Sequence, residues 1–327
     1  MSRLPSRQEI EVAVAALRRG EVIGLPTETV YGLAADASNV AAVERIFALK
    51  GRPADHPLIV HVADASDIPF WTSGASPLAA NLAQVFWPGP LTMILPRSAR
   101  VPDAVTGGQD TVGLRCPDHA VALAVLHEFG GGLAAPSANR FGRISPTSAA
   151  HVRGEFPAGV GVILDGGDCQ IGIESTILDL SSGKPRILRP GQISAQRIEA
   201  VIGPVAQDRS ESSPRASGTL EAHYAPRTPV LMLPRAALER EAREQGALGK
   251  RIAILAIGCL PKGQAGLSLP EDAESYAHGL YAAMRQLDAH GHQLLLVERP
   301  PDEAQWLAVS DRLRRAAAGA EADDDSP

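Results

Sequence analysis

Cysteine is scarce in this 327-residue chain: Cys116, Cys169 and Cys259 lie far apart, with no Cys-x-x-Cys pair and no even framework. That excludes a disulfide scaffold and a structural zinc site of the usual spacing. Aromatic residues make up only 4% of the chain, so its cores must be aliphatic and rich in alanine. Of the 31 basic residues only four are lysines: Lys50, Lys184, Lys250 and Lys262. Against so much arginine, a lysine inside a motif is the more informative. No apolar run approaches the ~18 residues of a membrane span. The opening residues lack the basic–apolar–small order of a signal peptide. The expected location is the cytoplasm, with no membrane partner.

Several catalytic signatures are missing too. The chain has no GxxxxGK[ST], no GxGxxG, no GxSxG and no HExxH. These absences exclude the P-loop, the usual dinucleotide fingerprint, the α/β-hydrolase elbow and the zincin site. His56 and His61 stand five apart, and His290 and His292 flank a glycine. Neither pair has an obvious third ligand, so no side-chain metal site is assigned. A net charge of −6 and a pI near 5.9 argue against non-specific nucleic-acid binding, which calls for a basic balance. Residues 1–204 carry net −2 and residues 205–327 net −4, so the second part is the poorer holder of phosphates.

What is present is ordinary globular composition, 45% hydrophobic and 21% charged. The 31 glycines and 26 prolines are scattered, which marks tight turns rather than disorder. Single cores stop growing at roughly 250–300 residues, so two domains are expected. Ser6 and Glu9 form a capping box ahead of a helix over 6–19, ended by Gly20. A strand follows over 22–26, then a polar loop over 27–37. Asn39 caps a second helix with Val40, Val43, Ile46, Phe47 and Leu49 at helical spacing, and Gly51 stops it. Further strands are expected over 58–62, 91–95, 111–115, 133–136, 160–164, 175–180 and 186–189, and helices over 77–86, 118–129, 146–153 and 194–201. Strands outnumber helices, which gives a mixed α/β domain on one large twisted sheet. Residues 205–228 have linker composition. Beyond them strand and helix alternate, over 230–233, 235–245, 251–257, 271–289, 293–297 and 303–317, as in a small parallel sheet covered by helices. Residues 319–327 form an acidic tail.

Three stretches carry chemistry. ProThrGluThrValTyrGlyLeu (26–33) follows a strand and packs hydroxyls and a carboxylate into one turn; it can close a βα connection or hold a small polar ligand through Thr29. LysGlyArgPro (50–53) ends a helix, where a cation is favoured anyway by the dipole. Gly51 turns the chain so that Lys50 and Arg52 can share a side, a clamp suited to a polyphosphate. AlaAlaProSerAlaAsn (134–139) ends a strand in small residues that let a ligand approach the backbone. Thr111 and Arg115 bound a strand of otherwise apolar residues, and such an arginine usually needs a carboxylate partner.

Taken in order, ProThrGluThrValTyrGlyLeu, LysGlyArgPro, ProSerAlaAsn (136–139), GluSerThr (174–176) and LeuArgProGly (188–191) resemble the YrdC family over about residues 8–205. The tetrad Lys50, Arg52, Ser137 and Asn139 is the family's mark, and the resemblance makes these the catalytic residues. HisTyrAlaPro (223–226) and the domain after it are similar to the two-domain, long form of the family. The resemblance implies a YrdC-like catalytic domain over 1–204, a linker or lid over 205–228, and a Rossmann-like three-layer α/β/α domain over 229–318. It implies synthesis of L-threonylcarbamoyladenylate from L-threonine, bicarbonate or CO2 and ATP, with release of pyrophosphate. That nucleotidyltransferase reaction is the first step of tRNA threonylcarbamoyladenosine modification, and a partner transferase consumes the product. By the same resemblance Thr29, His61, Arg115, Ala135 and Ser175 contact L-threonine. Lys50, Arg52, His56, Thr111, Ser137, Asn139, Ser145, Arg189 and the linker residue Tyr224 contact ATP. Mg2+ is expected with the ATP phosphates, and no organic cofactor. His56 stands where asparagine is common in the family, and Thr219, Leu220, Glu221 and Ala222 replace its usual methionine and basic residues.

The chemistry is consistent with these residue types. A carbamate oxygen attacking the α-phosphorus of ATP needs no protein nucleophile, only positioning and neutralisation of developing charge. One rival is an RNA-binding module of the same fold without turnover; the net charge of −6 and the lack of interleaved aromatics weigh against it, while direct tRNA contact stays open. Another is the carbamoyl-transfer branch within hydrogenase-maturation proteins, for which the chain has neither the cysteines nor the length.

Overall fold

The computed structural model describes residues 5–74, 76–208 and 213–322; residues 209–212 of the expected linker and 323–327 of the expected tail lie outside the described residues. By contacts the chain divides into two compact units. The first comprises Met1–Arg140, Pro146–Gln170 and Glu174–Thr219, the second Phe141–Ser145, Ile171–Ile173 and Leu220–Pro327. The expected 205–228 linker is thus shared out between them.

The first unit holds strands β1 (Ile23–Leu25), β2 (Gly32–Asp36), β3 (Ile59–His61), β4 (Leu91–Pro96), β5 (Thr111–Arg115), β6 (Leu133–Ala134), β7 (Val162–Ile163), β8 (Thr176–Asp179) and β9 (Arg186–Arg189). They form one mixed sheet in the order β7-β1-β2-β6-β3-β5-β4-β8-β9. Helix signals behave as expected: Ser6 and Glu9 close a capping box on Arg7–Arg18, and Asn39 caps Val40–Lys50, which Gly51 ends with φ 62°.

The expected polar loop over 27–37 is corrected in its second half. Residues Gly32–Asp36 form β2, antiparallel to β1 and to β6. Leu33 and Ala35 enter the larger core while Ala34 enters the smaller one. A strand buried on both faces reads as a continuous run rather than an alternation, and one made of glycine, leucine and alanine carries no β-branched signal. The short helices Ile68–Trp71 and Asp103–Thr106 also lacked a sequence signal.

Strand alternation sorts residues to two faces. Val60, Met93, Leu95, Val112, Leu114 and Leu178 belong to the larger core, under helices that include Val40–Lys50 and Pro77–Phe86. On the opposite face the helices Arg7–Arg18 and Ala120–Phe129 pack against Ile23, Leu25, Ala34, Leu133 and Ala135. That helical cover lies over β1, β2 and β6. Beyond it, above β3, β5, β4 and β8, the same face carries a small cluster of Ile94, Ile177, Leu188 and Ala216, with Ile59 against it.

The second unit holds β10 (Val230–Leu233), β11 (Ile252–Ile257), β12 (Gly266–Leu269) and β13 (Leu294–Glu298), all parallel in the order β10-β13-β11-β12. The helix Arg235–Ala247 sets Leu238 and Ala242 on Ile254, Ala256 and Leu296. Helices Ala273–Ala289 and Leu307–Ala322 complete a three-layer α/β/α arrangement. Strand β12 is an addition to the expected pattern, and the last helix runs into the expected tail.

Candidate active site

Several of the candidate residues lie on the first unit's sheet face, beyond the part that the helices Arg7–Arg18 and Ala120–Phe129 cover. On β5 the two-residue period puts Thr111, Gly113 and Arg115 on that face, and the parallel register sets His61 beside Arg115. Ile59, Thr92, Gly113 and Ile177 make the floor of a small pocket there, with Thr111 and Ser217 on its rim.

At one end stands Arg115, buried at 4% exposure. Its Nη1 donates to Thr29 Oγ1 at 2.8 Å and its Nε to the Gly89 carbonyl at 3.3 Å. The carboxylate partner expected of such an arginine is Glu28, whose Oε1 lies 2.6 Å from Nη2. Thr27 builds the turn that presents both neighbours: its hydroxyl donates to the Val30 carbonyl at 2.6 Å and accepts from the amides of Thr29 and Val30. Sequence reasoning noted a carboxylate in this turn but assigned Glu28 no role. The signal was there, an unassigned acid one residue from a candidate ligand and an arginine lacking its acid.

His61 is buried beside this arginine. Burial first, and then the Arg115 charge, push the imidazole down to about 3. It is neutral at working pH. The unfolded imidazole takes its proton near 6.5 and the folded one only near 3. This group therefore contributes full stability above about pH 6.5 and loses it as the pH falls toward 3. An NMR titration of the His61 ring is expected to show no ionisation between pH 5 and 8; a midpoint inside that window refutes the assignment.

The loop after β6 lies along β2. The Leu33 amide donates to the Pro136 carbonyl at 2.8 Å and the Ala138 amide to the Tyr31 carbonyl at 2.8 Å. Gly32 permits this approach, since a Cβ there would stand 3.3 Å from that of Ala135. Lys50, at the end of its helix, sends Nζ to the carbonyls of Ser137 and Asn139, both at 2.5 Å. Three of the tetrad thus meet in one cluster. Burial, and next the Arg52 charge, hold the Lys50 ammonium well below the usual lysine range.

The fourth member, Arg52, reaches the Pro57 carbonyl at 3.0 Å and Ser217 Oγ at 3.3 Å. Arg189 donates to the Ser217 carbonyl at 3.0 Å and, through Nε and Nη2, to the Ser175 carbonyl at 3.1 and 2.9 Å. Ser175 Oγ meets Thr92 Oγ1 at 2.8 Å. Ser217 therefore links Arg52 to Arg189, and Ser175, expected at threonine, is bonded directly to Arg189, expected at ATP. Neither Ser217 nor Thr92 belongs to a motif, and sequence reasoning missed both. His56 is half-buried, its imidazole lowered by burial and then by Arg52. The remaining two candidates belong to the second unit. Ser145 is buried, its carbonyl accepting from Arg285 Nε at 3.4 Å. Tyr224 is buried with φ 63°, its ring stacked 5.8 Å from Tyr281 and 5.3 Å from the Arg312 guanidinium.

Among the described residues no group of three or more His, Cys, Asp or Glu side chains could hold a metal ion. Within the same residues no helix is long and apolar enough to cross a membrane. The first unit's donors are ammonium, guanidinium, hydroxyl and amide groups, a set that fits anions.

The Sua5/YciO/YrdC family model, described as "Telomere recombination", matches residues 15–191, and a model described as "Threonylcarbamoyl-AMP synthase, C-terminal domain" matches residues 193–318. A threonylcarbamoyl-AMP synthase of Pyrococcus abyssi is 40% identical over 94% of this chain and 94% of its own length. One of Bacillus subtilis is 40% identical over 95% and 93%. A solved structure of Pyrococcus abyssi Sua5 complexed with L-threonine superposes with a TM-score of 0.90 at 37% identity, covering 97% of this chain and 96% of that one. Matched over nearly its whole length in this way, the chain belongs to the Sua5/YciO/YrdC family, in its two-domain form.

Proposed function

We propose that this protein makes L-threonylcarbamoyladenylate from L-threonine, bicarbonate or CO2 and ATP, releasing pyrophosphate. The observation that carries the reading is the set of four buried cations Lys50, Arg52, Arg115 and Arg189 in the first unit. Arg115 donates to the Gly89 carbonyl, and Lys50, Arg52 and Arg189 likewise donate to main-chain carbonyls. A phosphate oxygen is a stronger acceptor than a carbonyl, so these donors can be drawn onto a triphosphate. The names of the relatives and the threonine complex of the Pyrococcus abyssi protein support threonine and ATP as the substrates.

In this reading Arg115 holds the threonine carboxylate, with Thr29, His61, Ala135 and Ser175 shaping the pocket around the amino acid. The threonine amine adds to CO2 to give a carbamate. One carbamate oxygen attacks the α-phosphorus, the bond to the β,γ-diphosphate breaks, and pyrophosphate leaves with the electron pair. Lys50, Arg52 and Arg189 neutralise the charge that develops, while the loop of Ser137 and Asn139, with His56 and Thr111, positions the nucleotide. A cationic donor set suits Mg2+ only as a passenger of ATP, so the ion enters as part of the substrate. The reaction is a nucleotidyl transfer, and a cytoplasmic tRNA-modifying transferase consumes the adenylate.

Pyrophosphate release tests the reading. With ATP and Mg2+ present, release is expected to stop when either L-threonine or bicarbonate is omitted. Release without threonine, or none while ATP still binds, overturns it.

A further inference from the structure

Every group given a role above is a donor, a cation or a shaping side chain, yet a buried acid with no role stands beside Arg115. Glu28 is 2% exposed, and its Oε1 lies 2.6 Å from Arg115 Nη2. Even so, neither carboxylate oxygen has a hydrogen-bond partner, and Nη2 has none either. The contact is one of charge, unlike the aligned bonds that Arg115 makes to Thr29 and Gly89. A buried carboxylate that is paired by charge but accepts no hydrogen bond is costly. A pair kept for stability alone gains most by closing the two-pronged arginine–carboxylate fork, and this pair leaves it open.

We propose that Glu28 is a specificity-determining residue, which cancels the charge of Arg115 so that the carboxylate pocket takes a zwitterionic amino acid and refuses simple anions. This rests on the reading that Arg115 holds the substrate carboxylate. Arginine keeps its charge at any working pH, and a bare guanidinium in a buried pocket attracts any small anion. Bicarbonate, a substrate of the same reaction, is one. With Glu28 beside it the charge of Arg115 is offset. An amino acid is neutral overall, since its ammonium follows its carboxylate into the site. Acetate or bicarbonate brings an unbalanced charge close to Glu28, where repulsion is strong in a medium of low dielectric constant. Glu28 acts through Arg115 and the field of the pocket, because its oxygens are closed to solvent.

The test uses the full chain and acetate as the probe, at constant ionic strength. Arg115→Gln first examines the underlying reading: threonine binding by calorimetry is expected to fall at least tenfold, about the effect of 1.4 kcal/mol. Unchanged binding would sink that reading and, with it, this inference. With the Arg115 result in hand, acetate competition against L-threonine is compared between the native chain and Glu28→Gln. The inhibition constant for acetate is expected to fall by about tenfold or more, while the KM for ATP stays within about twofold. A lower melting temperature with an unchanged acetate constant means a merely structural acid and overturns the proposal. Should Glu28→Gln fail to fold, Glu28→Asp decides. It draws the charge back by one methylene, so the acetate constant is expected to fall by about threefold, and an unchanged constant again overturns the proposal.

Discussion

Replacing Lys50 by alanine is expected to lower adenylate formation by about 10²–10³-fold, the usual size for losing one preorganised charge stabiliser. Nζ stands 2.5 Å from two carbonyls of the loop that carries Ser137 and Asn139, so the side chain both orders that loop and offers a positive charge. Burial and Arg52 make that charge costly in the absence of ligand. A polyphosphate beside it reverses the balance, because an opposite charge favours the ammonium form. The stabilisation is thus stronger when phosphate charge is present, which is the condition for catalysis rather than plain binding. Lys50→Met, which keeps the aliphatic stem, is expected to lose the same activity while melting within a few degrees of the native chain. Single-turnover pyrophosphate release is the measurement. Near-native turnover in either variant would remove Lys50 from the mechanism.

Arg115→Met is expected to destabilise the fold by about 3–5 kcal/mol, the range for breaking a buried pair by removing one partner. Glu28 would then be left as a lone buried carboxylate, at 2% exposure, and Thr29 would lose a hydrogen bond. Removing both charges is less damaging, so the double variant Arg115→Met, Glu28→Gln is expected to recover a large part of the loss. Urea unfolding followed by two probes gives the three stabilities. A single variant within about 1 kcal/mol of the native chain, the scale of an exposed pair, would mean that the ion pair is solvated and that the pocket is not closed.

The amino-acid sequence alone determined the local signals and the order of the motifs. The Ser6–Glu9 box and the Asn39 cap act within four residues of the helices they start, so their chemistry is written locally. The same holds for the alternating elements of the second unit, whose βα repeat specified a small parallel sheet. Five short motifs in a fixed order carried the family and the candidate tetrad. Strand β2 was not legible, because it is buried on both faces and built from small residues that also suit a loop. Nor were the cross-chain contacts of the site. Glu28 and Arg115 are 87 positions apart in the sequence, and Arg52 and Ser217 are 165 apart. Only the tertiary structure decided that Glu28 faces Arg115 without a closed fork, that Ser217 joins Arg52 to Arg189, and that His61 and Arg115 stand side by side on one sheet face. Periodicity reports which face of an element is apolar. Which distant side chain meets it is set by sheet order and register, and these arise from packing the whole domain at once.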